Sequence, residues 1–316
     1  MIEEILAHSH VVSLPMRVRF RGITVREAML FEGPAGWGEF GAFTEYDDAE
    51  AAHWLAAGIE AAYQGPPVML RDTVEVNATV PAVPAAEVPS ILARYPGART
   101  AKVKVAEKGQ TLADDIARVN AVRESMEQVR VDANGGWTVE QAVSALNALG
   151  ELQYAEQPCA TVEELAEVRR RVSTPIAADE SIRKAEDPLR VVRAGAADVA
   201  IVKVPPLGGM RAVVRLAAEL AEYGVPIVVS SALDTAVGMS AGLAAAAALT
   251  NGDYACGLAT GRLFAEDVAD GREVVHGRLD VGASVPDPAR LHRLAASAER
   301  RAWWHARARR AFEHLR

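Results

Sequence analysis

From about Val74 the chain repeats one unit, a short apolar run of strand character followed by a longer stretch with helical spacing. This rhythm limits the fold more than any other feature of the 316 residues. Strands are expected at 74–80, 100–105, 129–132, 154–156, 176–178, 199–203, 226–229 and 254–256. Helices are expected between them at 112–126, 139–149, 162–172, 188–193, 210–223 and 237–249. Eight strands alternating with helices predict an α/β fold, a (β/α)8 barrel of the TIM type with right-handed crossovers. A doubly wound open sheet shares the rhythm, but no glycine-rich dinucleotide fingerprint follows the first strand, which weakens that alternative.

The ends of the chain read differently. Apolar and basic residues alternate over 16–20, and 24–32 and 37–40 flank Gly33-Pro34-Ala35-Gly36 as a hairpin would. Helical spacing follows over 47–63, so a small α+β domain is expected here. After Phe264 the chain is turn-rich, and 288–315 reads as one long helix dense in Arg and Ala. Such a helix suits RNA or a membrane surface, or simply a solvated face packing its Leu and Trp side chains. The charge of the whole favours the last reading: 42 acidic against 34 basic side chains give −8, the wrong sign for a nucleic-acid partner. Cys159 and Cys256 lie outside any CxxC pattern and are expected as reduced thiols. The opening Met1-Ile2-Glu3-Glu4 lacks a signal layout, and the most apolar stretch, 241–249, falls short of the roughly 20 residues that span a bilayer. The expectation is a cytoplasmic protein without a membrane partner.

Chemistry is expected where the strands end. Lys104, Asp132, Glu156, Asp179 and Lys203 close five successive strands, 23 to 28 residues apart, one βα unit each. Charged residues so placed meet at the C-terminal mouth of a barrel, where active sites of this fold sit. The three acids offer oxygen donors only, which suits Mg²⁺; zinc would call for His or Cys, and neither stands near these ends. Lys102 and Lys104, two residues apart, share one face of their strand. Their mutual repulsion and a nearby metal are expected to lower the lysine pKa toward the range of a base. The competing reading is a buried ion-pair network of three acids and three lysines, which is uncommon because buried charges cost several kcal/mol each unless well paired.

The run from Lys102-Val103-Lys104 through Asp132, Glu156, Asp179 and Lys203 resembles the enolase superfamily, in its muconate-lactonizing subgroup. The resemblance is strongest from Lys102 to Cys256, and Gly36-Trp37-Gly38-Glu39 resembles the hairpin of that family's capping domain. It implies a barrel at 74–263 and an α+β capping domain formed from 1–73 and the returning segment 264–316. It further implies Asp132, Glu156 and Asp179 as ligands of Mg²⁺ (Mn²⁺ as a substitute) and Lys104 as the base. Lys203 is implied on the opposite face, as a second acid/base or an electrostatic stabiliser. No histidine falls between Met69 and Val275, which excludes a His–Asp pair of the mandelate-racemase kind.

Within the subgroup, three segments resemble the o-succinylbenzoate synthases of menaquinone biosynthesis. They are Arg130-Val131-Asp132-Ala133-Asn134-Gly135-Gly136-Trp137, Lys203-Val204-Pro205-Pro206-Leu207-Gly208-Gly209 and Ser230-Ser231-Ala232-Leu233-Asp234-Thr235-Ala236-Val237-Gly238. The implied reaction is a dehydration of a small carboxylate, with Lys102, Asn134, Gly208, Ser230 and Ser231 as candidate substrate contacts. The hydroxyls and N–H groups of the Ser pair suit a succinyl carboxylate, or else a helix cap; Asn134 suits the substrate, a ligand's orientation or an Asx turn. Tyr254-Ala255-Cys256-Gly257-Leu258 carries no acid, which disfavours a dipeptide epimerase. The stretch 13–22, where relatives place a mobile lid, is short, so no lid residue carries over. An N-succinylamino-acid racemase and a non-catalytic metal-binding barrel remain as alternatives, and the oligomeric state stays open.

Overall fold

The computed structural model describes residues 1–20, 22–183, 187–250 and 252–315. Helix α1 (Ile2–Ala7) leads into β1 (Ser9–Phe20), which pairs antiparallel with β2 (Ile23–Gly33), and β2 with β3 (Gly36–Phe40). Gly33 pairs directly with Gly36, so Pro34 and Ala35 alone make the connection. Helix α2 (Asp48–Tyr63) lies against β3, and the two backbones touch at paired glycines. A Cβ on Gly38 would stand 2.1 Å from the Gly58 carbonyl oxygen, so only glycine fits there.

The barrel follows as β4 (Thr73–Glu75), β5 (Ala78–Val80), α3 (Val88–Leu92), β6 (Thr100–Lys104), α4 (Leu112–Arg123), β7 (Gln128–Asp132) and α5 (Val139–Leu149). It continues through β8 (Tyr154–Glu156), α6 (Val162–Arg171), β9 (Ile176–Ala178), α7 (Glu180–Arg183), α8 (Arg190–Arg193) and β10 (Val199–Val202). It ends with α9 (Met210–Ala221), β11 (Ile227–Val229) and α10 (Ala236–Ala248). Parallel pairing runs unbroken from β5 to β11. Strands β9, β10 and β11 read as continuous apolar runs because both faces are covered, by the barrel interior and by helices, whereas β6 and β7 alternate with the buried charges Lys102, Lys104, Arg130 and Asp132. Helices α4, α5 and α6 each open with the same reciprocal cap, Thr111 with Asp114, Thr138 with Gln141 and Thr161 with Glu164.

The expected eighth strand, 254–256, is reduced to two bridges, yet these close the cylinder. Cys256 pairs with Val76 and Gly257 with Ser230; Cys256 N donates to Glu75 O at 2.7 Å and Gly257 N to Val229 O at 2.9 Å. The expected strand 74–80 is two pieces. Only β5 joins the barrel, while β4 pairs antiparallel with β12 (Arg278–Asp280). The single helix expected over 288–315 is also two, α11 (Pro288–Arg293) and α12 (Ala298–Glu313). The break serves the edge of β1: Ser13 N donates to Leu294 O at 2.8 Å and Ala296 N to Val11 O at 2.9 Å, and Ser297 then caps α12 through Arg300 N.

The last helix packs on α1 and α2. Trp304 is 1% exposed, meets Phe40 edge-on at 5.5 Å, and donates its indole N–H to Glu27 at 2.9 Å. Arg307, buried beside it, donates to the carbonyls of Ala42, Phe43 and Tyr46. The cap in turn grips the barrel with two buried carboxylates, each at the N-terminus of a barrel helix, where free N–H groups and the helix dipole favour an anion. Glu60 of α2 accepts from Met210 N and from Arg211 N at the start of α9. Glu39 of β3 accepts from Thr235 N at 3.1 Å, Thr235 Oγ1 at 2.6 Å and Gly238 N at 3.0 Å at the start of α10.

Two outcomes follow from these contacts. Trp304→Ala should lower the unfolding free energy by about 3–5 kcal/mol, as for other buried large aromatics, measured by urea denaturation. Burial, then repulsion from Asp234, raises the Glu39 carboxyl from 4.5 to about 7 against the pull of Arg26. The folded chain holds that proton more tightly than the unfolded one. Its contribution is therefore intact below about 4.5 and lost as pH rises through about 7. Comparing urea midpoints at pH 5 and pH 8, Glu39→Gln should remove up to about 3 kcal/mol of the decline that the parent chain shows.

Candidate active site

Register places the charged row. Lys104 on β6 stands beside Asp132 on β7, and Asp132 beside Glu156 on β8, so three successive strand ends carry their side chains at one level. Asp179 follows β9 and Lys203 follows β10, continuing the row around the mouth. Asp132, Glu156 and Asp179 are each 1% exposed, and Lys102, Lys104 and Lys203 no more than 8%. All six line one cavity of about 40 Å³, together with Asn134, Ser230 and Ser231.

Every carboxylate is met by an ammonium. Lys102 Nζ donates to both oxygens of Glu156, at 2.9 and 2.7 Å, and stands 3.4 Å from Asp132. Lys104 Nζ donates to Asp132 and, at 2.9 Å, to Asn134 Oδ1; Lys203 Nζ donates to Asp179. Burial, then repulsion from Asp132, raises Glu156 to about 7 against the attraction of Lys102. The lysine expectation is corrected for Lys102. Burial alone would lower its pKa, but Glu156 and then Asp132 outweigh it and the pKa is raised.

The residues around this row differ from the expected set. Gly208 lies outside the cavity: a Cβ on it would face His53 of α2 at 3.6 Å, and its neighbour Gly209 is bare because Glu60 fills the space. The N–H groups of the Ser pair are committed to the sheet, Ser230 N to Val202 O and Ser231 N to Gly257 O, so only their hydroxyls face the cavity. Nor do they cap α10, a task that falls to Thr235. Asn134 adopts φ of 47° and gives its N–H to Asp132 Oδ1 at 3.0 Å, so the Asx turn there belongs to Asp132. Its side-chain amide also donates to Glu180 at 3.3 Å.

Sequence reasoning missed Phe20, Phe43, Thr79, Ala232, Leu233, Gly257 and Thr260, which complete the lining. Phe20, at the end of β1, stands 5.2 Å from Lys104 Nζ across its ring face. Of the short stretch 13–22, Arg21 lies outside the described residues. Gln157 was also missed. Fully buried, its Oε1 accepts from Asp179 N at 3.0 Å and Ser181 N at 3.2 Å, and its Nε2 donates to Cys159 O and Ser181 Oγ. Its place directly after Glu156 at a strand end was the one signal available.

Among the described residues, no three His, Cys, Asp or Glu side chains are gathered at metal-holding distance. Each carboxylate is drawn to its own ammonium instead. The donor chemistry nevertheless fits a hard divalent cation: three buried carboxylates on neighbouring strand ends, with no His or Cys in the lining.

Residues 11–62 match the family described as enolase N-terminal domain-like, and residues 86–286 the family described as enolase C-terminal domain-like. The chain belongs to the enolase superfamily. The muconate lactonizing enzyme of Pseudomonas putida shares its fold with a TM-score of 0.76 at 22% identity, over 91% of this chain and 98% of that one. An N-succinyl Arg/Lys racemase from Bacillus cereus does so with 0.75 at 20%, over 92% and 97%. The o-succinylbenzoate synthases of Mycolicibacterium smegmatis and Mycobacterium tuberculosis are 65% identical over 306 residues, 96% of this chain and 94% and 93% of theirs. That of Mycobacterium leprae is 64% identical, over 91% of its length, and these identities place the chain in the o-succinylbenzoate synthase family.

Replacing Gln157 by Leu keeps the bulk but leaves the N–H groups of Asp179 and Ser181 without their acceptor. The expected loss is about 1–3 kcal/mol for each orphaned group, read from urea unfolding.

Proposed function

We propose that this chain is a carbon–oxygen lyase of menaquinone biosynthesis. The reaction is the syn dehydration of 2-succinyl-6-hydroxy-2,4-cyclohexadiene-1-carboxylate to o-succinylbenzoate. What carries the reading is 65% identity to o-succinylbenzoate synthases over nearly the whole chain, joined to a mouth where Lys104 and Lys203 flank three buried carboxylates.

In this reading Lys104 Nζ takes the proton from the carbon beside the ring carboxylate. Asn134, which holds that nitrogen at 2.9 Å, keeps it aimed. Negative charge then grows on the carboxylate, and Lys203, across the mouth beyond β10, offsets it. The ammonium of Lys104 returns its proton to the departing hydroxyl on the same face. One C–H and one C–O bond break, a C=C bond forms, water leaves and the ring becomes aromatic. Asp132, Glu156 and Asp179 would hold Mg²⁺, or Mn²⁺ in its place, which when bound withdraws charge from the substrate carboxylate. Lys102, bonded to Glu156, orients that carboxylate, and the Ser230 and Ser231 hydroxyls are the groups we assign to the succinyl end. A cavity of about 40 Å³ is smaller than this substrate, so the mouth has to widen to admit it.

One observation favours a second activity. Lys104 and Lys203 lie on opposite sides of the carboxylate row, the arrangement a two-base racemase of N-succinylated amino acids requires. Exchange of the substrate α-deuterium with water, accompanied by racemisation, would reveal it.

The test of the main reading incubates the protein and Mg²⁺ with the succinyl hydroxycyclohexadiene carboxylate and follows the ultraviolet change on aromatisation. Rapid conversion, abolished by EDTA, is expected; none by folded, metal-loaded protein would overturn the assignment. Lys104→Ala should reduce turnover by at least about 10³-fold, within the range a positioned general base supplies, with the fold intact by circular dichroism.

A further inference from the structure

A cavity much larger than the one at the mouth lies elsewhere in the molecule. The outer ring of helices has a gap after the eighth strand: between α10 and β12 the single turn Thr260–Leu263 is the one helical piece that the described chain forms. A cleft of about 820 Å³ occupies the gap, bounded by the end of α3, by α10 and by 258–274. Its size suits an organic ligand, and its floor of Leu258, Phe264 and Val274 is apolar.

Six arginine and four acidic side chains line the cleft, in a chain whose formal charge is −8. Arg290 and Arg293 are neutralised by Asp270 and Glu266. Arg17, Arg94 and Arg262 have no carboxylate partner among the described residues. Arg17 donates to the Ala265 carbonyl at 3.3 Å and Arg262 to the Arg272 carbonyl at 2.8 Å. Arg94 makes no side-chain hydrogen bond or ion pair to any described residue. Arg272 gives Nη2 to the hydroxyls of Ser240 and Ser284, and its Nε is buried with no acceptor among the described residues. The carboxylates do not answer these charges. Asp267 is spent on the N-terminus of α10, through Ala236 N, and Asp234 is buried against the Arg26 side of the cap. Glu273 alone is left facing three guanidinium groups.

We propose that this cleft is a second ligand site, separate from the mouth, which takes a multivalent organic anion, a phosphate or polycarboxylate metabolite. The guanidinium groups of Arg17, Arg94 and Arg262 bind the anionic groups and the apolar floor takes the carbon body, as planar guanidinium groups suit both anions. None of the three lines the mouth cavity. The two sites stand back to back across 258–262: Thr260 faces the mouth, Gly261 and Arg262 the cleft.

Isothermal titration of the full, EDTA-treated chain with pyrophosphate and, separately, tricarballylate tests this and distinguishes the two anion chemistries. One saturable site is expected for at least one probe, with a Kd below about 1 mM at low ionic strength. Arg94→Ala is the decisive variant, since that side chain holds nothing else in place. It should weaken binding at least about 10-fold, whereas Arg94→Lys, which keeps the charge, should lose less. Basal dehydration by Arg94→Ala should match the parent, showing an intact mouth and fold, and Lys203→Ala should bind the probe normally. The proposal fails if neither probe binds, if binding survives replacing both Arg94 and Arg262 by Ala, or if Lys203→Ala abolishes it.

Discussion

Three ammonium–carboxylate pairs buried at one end of a barrel set the terms for everything around them. Removing an ion from water costs several kcal/mol even after relaxation, and a buried pair repays this only with good geometry and with its remaining hydrogen bonds met. Strand register supplies the geometry here: Lys104, Asp132 and Glu156 stand at one level because parallel strands pair residue for residue. Neighbouring backbone and amide groups supply the remaining bonds, Asn134 at Lys104 and Asp132, and Gln157 at the strand end that presents Asp179. Burial, then repulsion from Asp132, still pushes Glu156 up to about 7 against the attraction of Lys102.

Such a cluster needs a lid, and the cap is fastened where it matters. Arg26 of β2, 4% exposed, donates to the carbonyls of Leu233 and Gly41, and its guanidinium lies 4.6 Å over the ring of Phe43. Leu233 and Phe43 are both walls of the mouth cavity. One cap side chain therefore ties a barrel wall to a cap wall. Glu39 and Glu60 fix the same interface by ending α10 and α9, so the orientation of the cap is set by helix N-termini rather than by apolar contact alone.

The barrel and its charged row were legible in the sequence because both rest on a local repeat. Each βα unit spells its own strand, and the residue ending the strand is adjacent in the chain to the apolar run that identifies it. The cap contribution was not legible. Phe20 reaches Lys104 only through the pairing of β1 with β2, and nothing near it in the sequence marks it as an active-site wall. Gly208 entered the candidate substrate contacts through the resemblance of its segment to the o-succinylbenzoate synthases. Here Gly208 faces His53 of α2, and the close approach is that of Gly209 to the carboxylate of Glu60, a partner about 150 residues away. The Ser pair misled for a similar reason, since Ser230 N is spent on Val202 O and Ser231 N closes the cylinder against Gly257, which the strand pattern alone could not assign. The break at 294–297 is another long-range effect, because the residues that interrupt the helix pair with β1.

The closing bridges bear on how the chain reaches this state. Val76 and Cys256 are 180 residues apart in the chain, and α12 packs on α1 and α2 from the far end of the chain. Contacts of such long sequence separation form slowly, since loop closure precedes any gain from pairing. During synthesis from the N-terminus, the first hairpin, with its apolar face of Met29, Phe31 and Phe40, waits for a helix not yet made. A nascent chain thus holds a partly uncovered apolar sheet until α12 emerges. Exposed apolar sheet is where aggregation starts, so loss of α12 would leave that face open for good.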